Sequence, residues 1–215
     1  MREIVLWGAS GHARVLAEFL GALDFAVVAL VDNDPALTSF LPGVPLLRGE
    51  VELGAWRRAH PGELYALVAI GGARGAERLA IQDQLSAAGY TIPTAVHPRA
   101  FVAAGATLGA GTHVLALAAV AAAARLGAGC IVNTSASVDH ECRLADGVHI
   151  GPGATLAGNV TVGRNAFIGT GAAIVPHVTI GAGAIVGAGS VVVHDVPPDT
   201  IAYGNPARVA RAVAK

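Results

Sequence analysis

The stretch LAGNVTVGRNAFIGTGAAI, Leu156 to Ile174, decides the fold of this chain. An aliphatic residue returns at every sixth place, at Leu156, Val162, Ile168 and Ile174. Small residues recur four places after each aliphatic residue. Gly or Asn recurs one or three places after it, where we expect tight turns that need a positive φ. A six-residue period is typical of a parallel β-helix, in which short strands stack coil upon coil.

The six-residue period of aliphatic residues continues far beyond this stretch, at the same positions in the repeat. Sixteen successive positions, from Val102 to Val192, carry Val, Leu or Ile at intervals of six without a miss. The run includes VLALAAVAAAARLG (114–127), where we reject an Ala-rich helix because the phase passes through it unbroken. At three hexapeptides per turn these units make about five coils, with no room for a long inserted loop. The number of sides and the hand of the coil do not follow from the period.

Before this run, strand patterns alternate with helix patterns. Continuous apolar runs typical of buried strands are EIVLWG (3–8), AVVALVD (26–32) and ELYALVAIGG (63–72). Helical spacing of apolar residues is found in GASGHARVLAEFLGAL (8–23) and ARGAERLAIQDQLSAAG (73–89). Strands that alternate with helices predict a parallel sheet covered by helices. We therefore predict an α/β, Rossmann-like domain over residues 1–96 and an all-β domain over residues 97–215.

Composition excludes several classes of protein. The formal net charge of the 215 residues is −1, so no broad attraction to nucleic acid or to an anionic membrane is encoded. Two cysteines are too few for a disulfide scaffold. The longest apolar run, Val114 to Ala124, is shorter than the roughly 20 residues that span a bilayer. We expect the segment MREIVLWGAS (1–10) to begin a strand and not to be a signal peptide. We expect a cytoplasmic protein without nucleic-acid or membrane partners.

Four segments carry a resemblance to a known family. They are GASGHARVL (8–16), VDND (31–34), NTSASVDHECRLADGVHIGPGAT (133–155) and GSVVVHDVPPDTIAYGNPARV (189–209). With the hexapeptide run, they resemble the sialic acid O-acetyltransferase and nucleotide-sugar 4-amino N-acetyltransferase family of hexapeptide acyltransferases. The resemblance implies a left-handed, triangular β-helix, a homotrimer with active sites between subunits, and acetyl-CoA as co-substrate.

His140 is the candidate catalytic base. It is third in the hexapeptide VDHECR, which predicts a position at or beside a turn with the side chain directed outward. Acetyl transfer from a thioester to an amine needs a base near neutral pH, and imidazole suits this work. A carboxylate on the other ring nitrogen would fix the tautomer, and Glu141 or Asp139 is available for it. The resemblance implies that His140 is the general base; we favour Glu141 as its orienting partner, with Asp139 a close second.

Other positions match residues that contact ligands in the family. The resemblance implies a contact of His149 with the thioester carbonyl or the pantetheine arm, and of Asn133 with substrate; the alternatives are an ordinary exposed histidine and a turn asparagine. The resemblance also implies contacts with acetyl-CoA for four further residues: Thr170, Ala188, Pro206 and Arg208. Cys130 and Cys142 hold small, inward positions, so a covalent acyl-cysteine is disfavoured and direct transfer in a ternary complex is expected. The histidines show no metal-ligand spacing, and we expect no metal.

The first domain has the features of a nucleotide holder. The segment GASGH (8–12), between a strand and a helix, is a candidate diphosphate-binding loop, although it is not the GxGxxG fingerprint of dinucleotide sites. Polar or glycine residues at the strand ends are candidates for substrate contacts: Ser10, Gly11, His12, Asp32, Asn33 and Gly71. The alternative is a domain that is merely structural.

The sequence thus predicts an acetyl-CoA-dependent N-acetyltransferase that acts on the 4-amino group of a UDP- or GDP-linked deoxyamino sugar. The nearest rival is an O-acetyltransferase that acts on sialic acid or another sugar hydroxyl. A non-catalytic β-helix scaffold is a second alternative, against which the Asp-His-Glu cluster argues.

Overall fold

The computed structural model describes residues 1–214, which divide into two compact units. The first comprises Met1–Ile70 and Ala80–Pro93, and the second comprises Gly71–Leu79 and the chain from Thr94 onward. The sequence-based boundary between residues 96 and 97 stays a prediction.

The first unit is built on a four-stranded parallel sheet with the order β3-β2-β1-β4. Its strands are β1 (Arg2–Trp7), β2 (Phe25–Val31), β3 (Leu46–Leu47) and β4 (Tyr65–Val68). The helices are α1 (Gly11–Leu20), α2 (Gly49–Ala59) and α3 (Gly75–Ala87), with a 3-10 turn at Gly21–Leu23; the residues of α3 up to Leu79 group with the second unit. Buried residues of β1, β2 and β4 form the core, as continuous apolar runs predict.

The second unit is a stack of two-residue strands on three faces. Face 1 contains β5 (Ala95–Val96), β8 (His113–Val114), β11 (Ile131–Val132), β14 (His149–Ile150), β17 (Phe167–Ile168) and β20 (Ile185–Val186). Face 2 contains β6 (Phe101–Val102), β9 (Ala119–Val120), β12 (Ser137–Val138), β15 (Thr155–Leu156), β18 (Ala173–Ile174) and β21 (Val191–Val192). Face 3 contains β7 (Thr107–Leu108), β10 (Arg125–Leu126), β13 (Arg143–Leu144), β16 (Thr161–Val162) and β19 (Thr179–Ile180). A hairpin of β22 (Thr200–Gly204) and β23 (Ala207–Ala212) continues face 1.

From β5 to β21, each strand pairs in parallel with the strand three places further along the chain. Ser137 lies opposite Thr155, and Arg143 lies opposite Thr161, so one coil is 18 residues long. The prediction of three hexapeptides per turn is therefore confirmed, and the strands recur through 114–127 without a helix. Residues i and i+18 are neighbours on adjacent coils from β5 to β21, whereas β20 pairs with β22 in the last coil at a spacing of 16 residues.

The interior of the coils is formed by the sixteen aliphatic positions. Fourteen of them are buried, and Val102 and Leu108, in the first coil, are partly buried against the same core. The small positions, which include Cys130 and Cys142, fill the space between these side chains. Burial of each aliphatic side chain contributes about 1.5–3 kcal/mol, and the stacking of equivalent residues joins all coils into one core.

The glycines one place and three places after each aliphatic residue have different roles in the β-helix. Only glycines of the second group have the positive φ that we expect from the sequence for both. The residue three places after each aliphatic one has a positive φ at every turn from Gly111 to Gly189, whether it is Gly, Asn or another residue such as Glu141. Glycines one place after the aliphatic residue, such as Gly163, do not have a positive φ. A Cβ at Gly163 would instead meet the backbone of Gly181 and Ala182 on the next coil. The prediction of a positive φ there was wrong, because close approach between coils selects glycine.

Candidate active site

The Asp139-His140-Glu141 segment forms a turn at the corner between faces 2 and 3. Nδ1 of His140 lies 3.2 Å from Oε2 of Glu141. The backbone N–H of His140 donates to Oδ1 of Asp139 at 2.6 Å. The carboxylate of Glu141 thus faces the ring of His140, whereas the carboxylate of Asp139 holds the backbone of the turn.

This geometry defines how the imidazole is presented. A carboxylate only accepts hydrogen bonds, so in the neutral imidazole of His140 the proton is on Nδ1, facing Glu141, and the lone pair is on Nε2. The side chains of both residues are more than half exposed, at 55% and 58%. The imidazole therefore lies on the outside of the coil, as the hexapeptide position of His140 predicts.

Asn159, on the next coil, extends this arrangement. Its Nδ2 donates to Oε2 of Glu141 at 3.4 Å, and its backbone N–H donates to the carbonyl oxygen of His140 at 3.0 Å. Sequence reasoning did not single out Asn159. The signal that could have found it is its place 18 residues after Glu141, one full coil away.

A cavity of about 310 Å³ opens on face 2 beside this turn. Its walls include Ser137, Asp139, Thr155 and Ala157, which carry small or short polar side chains. The cavity offers space for a narrow chain next to the candidate base.

His149 lies on face 1 in a different environment. It is only 4% exposed, and its ring packs edge-on against Phe167 with centroids 5.2 Å apart. Nδ1 lies 3.3 Å from the carbonyl oxygen of Gly72, and Nε2 lies 3.1 Å from Nδ2 of Asn133. Because a carbonyl oxygen only accepts, Nδ1 carries the proton and Nε2 accepts from Asn133. The alternative of an ordinary exposed histidine is therefore wrong.

Asn133 and Gly71 belong to the same cluster. Oδ1 of Asn133 accepts the backbone N–H of Thr134 at 2.8 Å, which directs its amide nitrogen toward His149. A Cβ built on Gly71 would lie 3.6 Å from Cε1 of His149. The predicted substrate residues Asn133 and Gly71 thus surround the predicted cofactor residue His149.

Thr170 and Ala188 lie exposed at the corner between faces 1 and 2, the corner that also carries Asn133. The carbonyl oxygen of Thr170 accepts the N–H of Gly189, one coil further, at 2.8 Å. His140 lies at the other end of face 2. One chain therefore does not bring His140 together with Thr170 and Ala188.

Pro206 and Arg208 lie exposed at the turn and start of the β22–β23 hairpin. Nη1 of Arg208 donates to the carbonyl oxygen of Ala207 at 3.0 Å. A cavity of about 170 Å³ is lined by Arg208 together with His194 and Asp195. The hairpin stacks on β20, so these residues belong to the last coil.

The predicted nucleotide residues of the first unit gather at the carboxyl ends of β1 and β2. Ser10 and Gly11 are exposed at the start of α1, and His12 is half-buried there. The first turn of α1 contains no acidic residue. Oδ2 of Asp32 accepts the N–H of Ala9 at 2.9 Å, while Oδ1 accepts the N–H of Asp34 at 3.0 Å. Asn33 is exposed next to Asp32.

The thiols of Cys130 and Cys142 face the interior of the β-helix. Burial raises the pKa of the Cys130 thiol to about 12 and also raises that of Cys142. Each Sγ donates to a carbonyl oxygen of the next coil, which agrees with the predicted inward positions. Among residues 1–214, no group of three or more His, Cys, Asp or Glu side chains is arranged to hold a metal ion.

Two family models match the chain. The PglD N-terminal domain matches residues 3–85, and the bacterial transferase hexapeptide model, with six repeats, matches residues 159–194. No curated protein matches the sequence.

Solved structures match over almost the whole length. PerB from Caulobacter crescentus, in complex with CoA and GDP-perosamine, is 40% identical over 98% of each chain, with a TM-score of 0.88. A second match is a histidine-to-asparagine variant of the perosamine N-acetyltransferase from the same organism, also in complex with CoA and GDP-perosamine. It is 39% identical over 98% of this chain and 97% of its own, with a TM-score of 0.89. The acetyltransferase domain of PglB from Neisseria gonorrhoeae, in complex with acetyl coenzyme A, is 36% identical over 97% of this chain and 99% of its own, with a TM-score of 0.86.

The chain belongs to the nucleotide-sugar N-acetyltransferase family.

Membership of the nucleotide-sugar N-acetyltransferase family confirms the predicted fold, a Rossmann-like α/β domain followed by a left-handed parallel β-helix. It also confirms that the protein is an acetyltransferase, and the scaffold alternative is thereby excluded. In the part of the chain that the structure describes, no helix has the length and apolar character needed to cross a membrane.

Proposed function

We propose that this acetyltransferase transfers the acetyl group of acetyl-CoA to the 4-amino group of a UDP- or GDP-linked deoxyamino sugar. The single observation that carries the proposal is the His140–Glu141 pair, in which Glu141 faces Nδ1 and the imidazole is more than half exposed on the outside of the coil. The similar proteins support both substrates, because they were solved with acetyl-CoA or CoA and with GDP-perosamine.

His140 is the general base of the proposed reaction. The neutral amine attacks the thioester carbonyl carbon, and Nε2 of His140 removes a proton from the nitrogen as the N–C bond forms. The C–S bond then breaks, and the imidazolium returns the proton to the departing CoA sulfur, so that amide and free thiol are the products. Glu141 keeps the proton on Nδ1 and stabilises the imidazolium, and no acyl-cysteine is formed.

The first unit would hold the nucleotide. The start of α1 offers the positive end of a helix without a competing acidic residue in its first turn, which favours a diphosphate. Ser10, Gly11 and His12 are placed for the phosphates or the sugar. Asp32 orders the loop through the N–H of Ala9, and Asn33 beside it is free to contact the ribose or base.

Acetyl-CoA would lie along the β-helix, and the complete site would form between copies of the chain. Thr170, Ala188, Asn133 and His149 are our candidates for its pantetheine arm and thioester, and Pro206 and Arg208 for its adenine end. Because His140 lies at a different corner from Thr170 and Ala188, a neighbouring subunit has to supply one of the two sets. This requirement supports an oligomer, and the family resemblance implies that it is a homotrimer.

The test is thiol release from acetyl-CoA with a panel of UDP- and GDP-4-amino-4,6-dideoxy sugars, comparing the wild type with His140→Ala. We expect turnover with one nucleotide sugar and its loss in the variant. His177→Ala is the matched control, because His177 is exposed at the same corner two coils further and is not part of the proposed site. Activity on sialic acid but on no amine would replace the proposal by O-acetylation.

A further inference from the structure

The ring of His140 lies over Gly158, which occupies the equivalent place on the next coil. A Cβ built on Gly158 would overlap Cε1 and Nε2 of His140 and would lie 3.1 Å from Nδ1. Gly158 is buried although it stands in an outer turn. The imidazole therefore occupies the space that any side chain at position 158 would need.

The backbone does not require a glycine at this place. The φ of Gly158 is outside the left-handed region, in contrast to that of Asn159 beside it. The equivalent turn position holds alanine in the two coils before His140, at Ala104 and Ala122. The missing side chain at Gly158 is thus explained by the ring above it and not by the conformation of the turn.

We infer that Gly158 is a positioning residue for the reaction, because its bare backbone is the surface on which the His140 ring rests. The inference relies on the proposed role of His140 as base. A methyl group at position 158 forces the ring to rotate away, since the half-exposed imidazole can move and the packed coil cannot. Rotation breaks the 3.2 Å contact of Nδ1 with Glu141 and moves Nε2 from the place where the amine proton is taken. Displacements of about 1 Å at a reacting group can lower rates by about a hundredfold.

The experiment is Gly158→Ala, with Gly105→Ala as the matched control. Gly105 lies at the same corner with an ordinary φ, and the atom nearest to its added Cβ is 3.8 Å away. We expect kcat of Gly158→Ala to fall by between about tenfold and a hundredfold while KM for both substrates and the melting temperature stay unchanged. Gly105→Ala keeps the wild-type kcat. An unchanged kcat in Gly158→Ala would overturn the inference.

A double-mutant cycle separates positioning from a structural effect. In a His140→Ala background no ring remains to be displaced, so adding Gly158→Ala leaves the residual rate unchanged. An equal loss in both backgrounds would show that the coil itself is disturbed and would contradict the inference.

The position of the ring can also be measured without any turnover. The ring resonances of His140, assigned by their loss in His140→Ala, should shift in Gly158→Ala and not in Gly105→Ala. If His140→Ala remains active, the proposed role of the base fails, but a shifted resonance still supports the contact. An unshifted resonance would disprove the contact whatever the activity.

Discussion

Oε2 of Glu141 lies 3.2 Å from Nδ1 of His140, and the same oxygen accepts a hydrogen bond from Asn159 on the next coil at 3.4 Å. Exposed ion pairs contribute little to stability, and both partners here are more than half exposed. The pair therefore matters for the orientation of the imidazole and not for the free energy of unfolding.

Glu141→Gln should lower kcat by about tenfold or more, because an amide does not stabilise the imidazolium as a carboxylate does. The loss should be smaller than the roughly 10²–10⁴-fold contribution of a complete general base. The measurement is steady-state kinetics with acetyl-CoA and the accepted amine. Asp139→Asn is the control: its amide oxygen still accepts the N–H of His140, so its kcat should stay close to that of the wild type.

Glu141→Gly should separate activity from stability. Glu141 has φ 59°, a left-handed conformation that costs a non-glycine residue roughly 1–2 kcal/mol. Removing the Cβ relieves this cost and should raise the free energy of unfolding by up to about 1 kcal/mol, while kcat falls. Denaturant unfolding of Glu141→Gly and Glu141→Ala measures the effect. Equal stability of the two variants would mean that the turn is not strained.

Gly163→Ala should destabilise the β-helix strongly. Its Cβ would lie 2.8 Å from both Cα of Ala182 and the carbonyl carbon of Gly181, and backbone atoms inside a stack cannot move aside cheaply. We expect a loss of about 1–3 kcal/mol or more, which is typical of overpacking. Gly105→Ala, at an open position, should lose nothing. Similar melting temperatures for the two variants would contradict close approach as the reason for these glycines.

Arg78 should be essential for stability although it is charged. Its side chain is 1% exposed, and its Nε and Nη2 donate to the carbonyl oxygens of Gly129 at 2.7 Å and Gly147 at 2.8 Å. Burial lowers its pKa to about 10, so the guanidinium stays charged at neutral pH. Arg78→Leu leaves both carbonyls without this donor and should cost about 2–5 kcal/mol in denaturant unfolding.

Arg74→Leu is the matched control for Arg78. The Arg74 side chain is 61% exposed and forms a surface ion pair with Glu77, which predicts a change of less than about 1 kcal/mol. A comparable loss in both variants would show that burial of Arg78 is not the cause.

The β-helix was predictable because its pattern depends on burial alone. The inward positions from Val114 to Val192 are all buried, and the period of six needs no long-range information. The helix α2, Gly49–Ala59, was not predicted: Gly54 in its middle weakens the helical pattern of the sequence, and only Gly49 and Leu53 within it are buried. Its place is set by packing on the sheet.

The candidate site was predictable in part. His140 and Glu141 are neighbours in sequence, so their contact could be expected from the chain alone. The contacts of Gly158 and Asn159 with them depend on the stacking of coils, in which residues 18 apart become neighbours. The burial of Arg78 depends on carbonyl oxygens more than 50 residues away, which no local pattern reveals.

Alkaline pH should destabilise the protein through Cys130. Burial raises the pKa of this thiol from 9.0 to about 12. Between these values the unfolded chain loses the proton and the folded chain keeps it, so the unfolded state binds fewer protons and stability falls as pH rises. Below about pH 9 the thiol is neutral in both states, and its contribution is fully present. The slope approaches about 1.4 kcal/mol per pH unit for one thiol.

Cys130→Ala isolates this contribution. Other coils carry alanine at the equivalent inward position, as at Ala136 and Ala154, so the variant should fold with a loss of only about 1 kcal/mol at pH 7.5. The denaturant midpoints of the wild type and the variant are measured at pH 7.5, 9 and 10, and the dependence of stability on pH is compared between the two proteins. Other groups that titrate at alkaline pH, such as Tyr90, are present in both proteins and cancel in this comparison. We expect the variant to lose less stability between pH 9 and 10 than the wild type. Parallel pH curves would mean that the Cys130 thiol ionises in the folded protein as readily as in the unfolded chain, and that it is therefore not held neutral inside the coil.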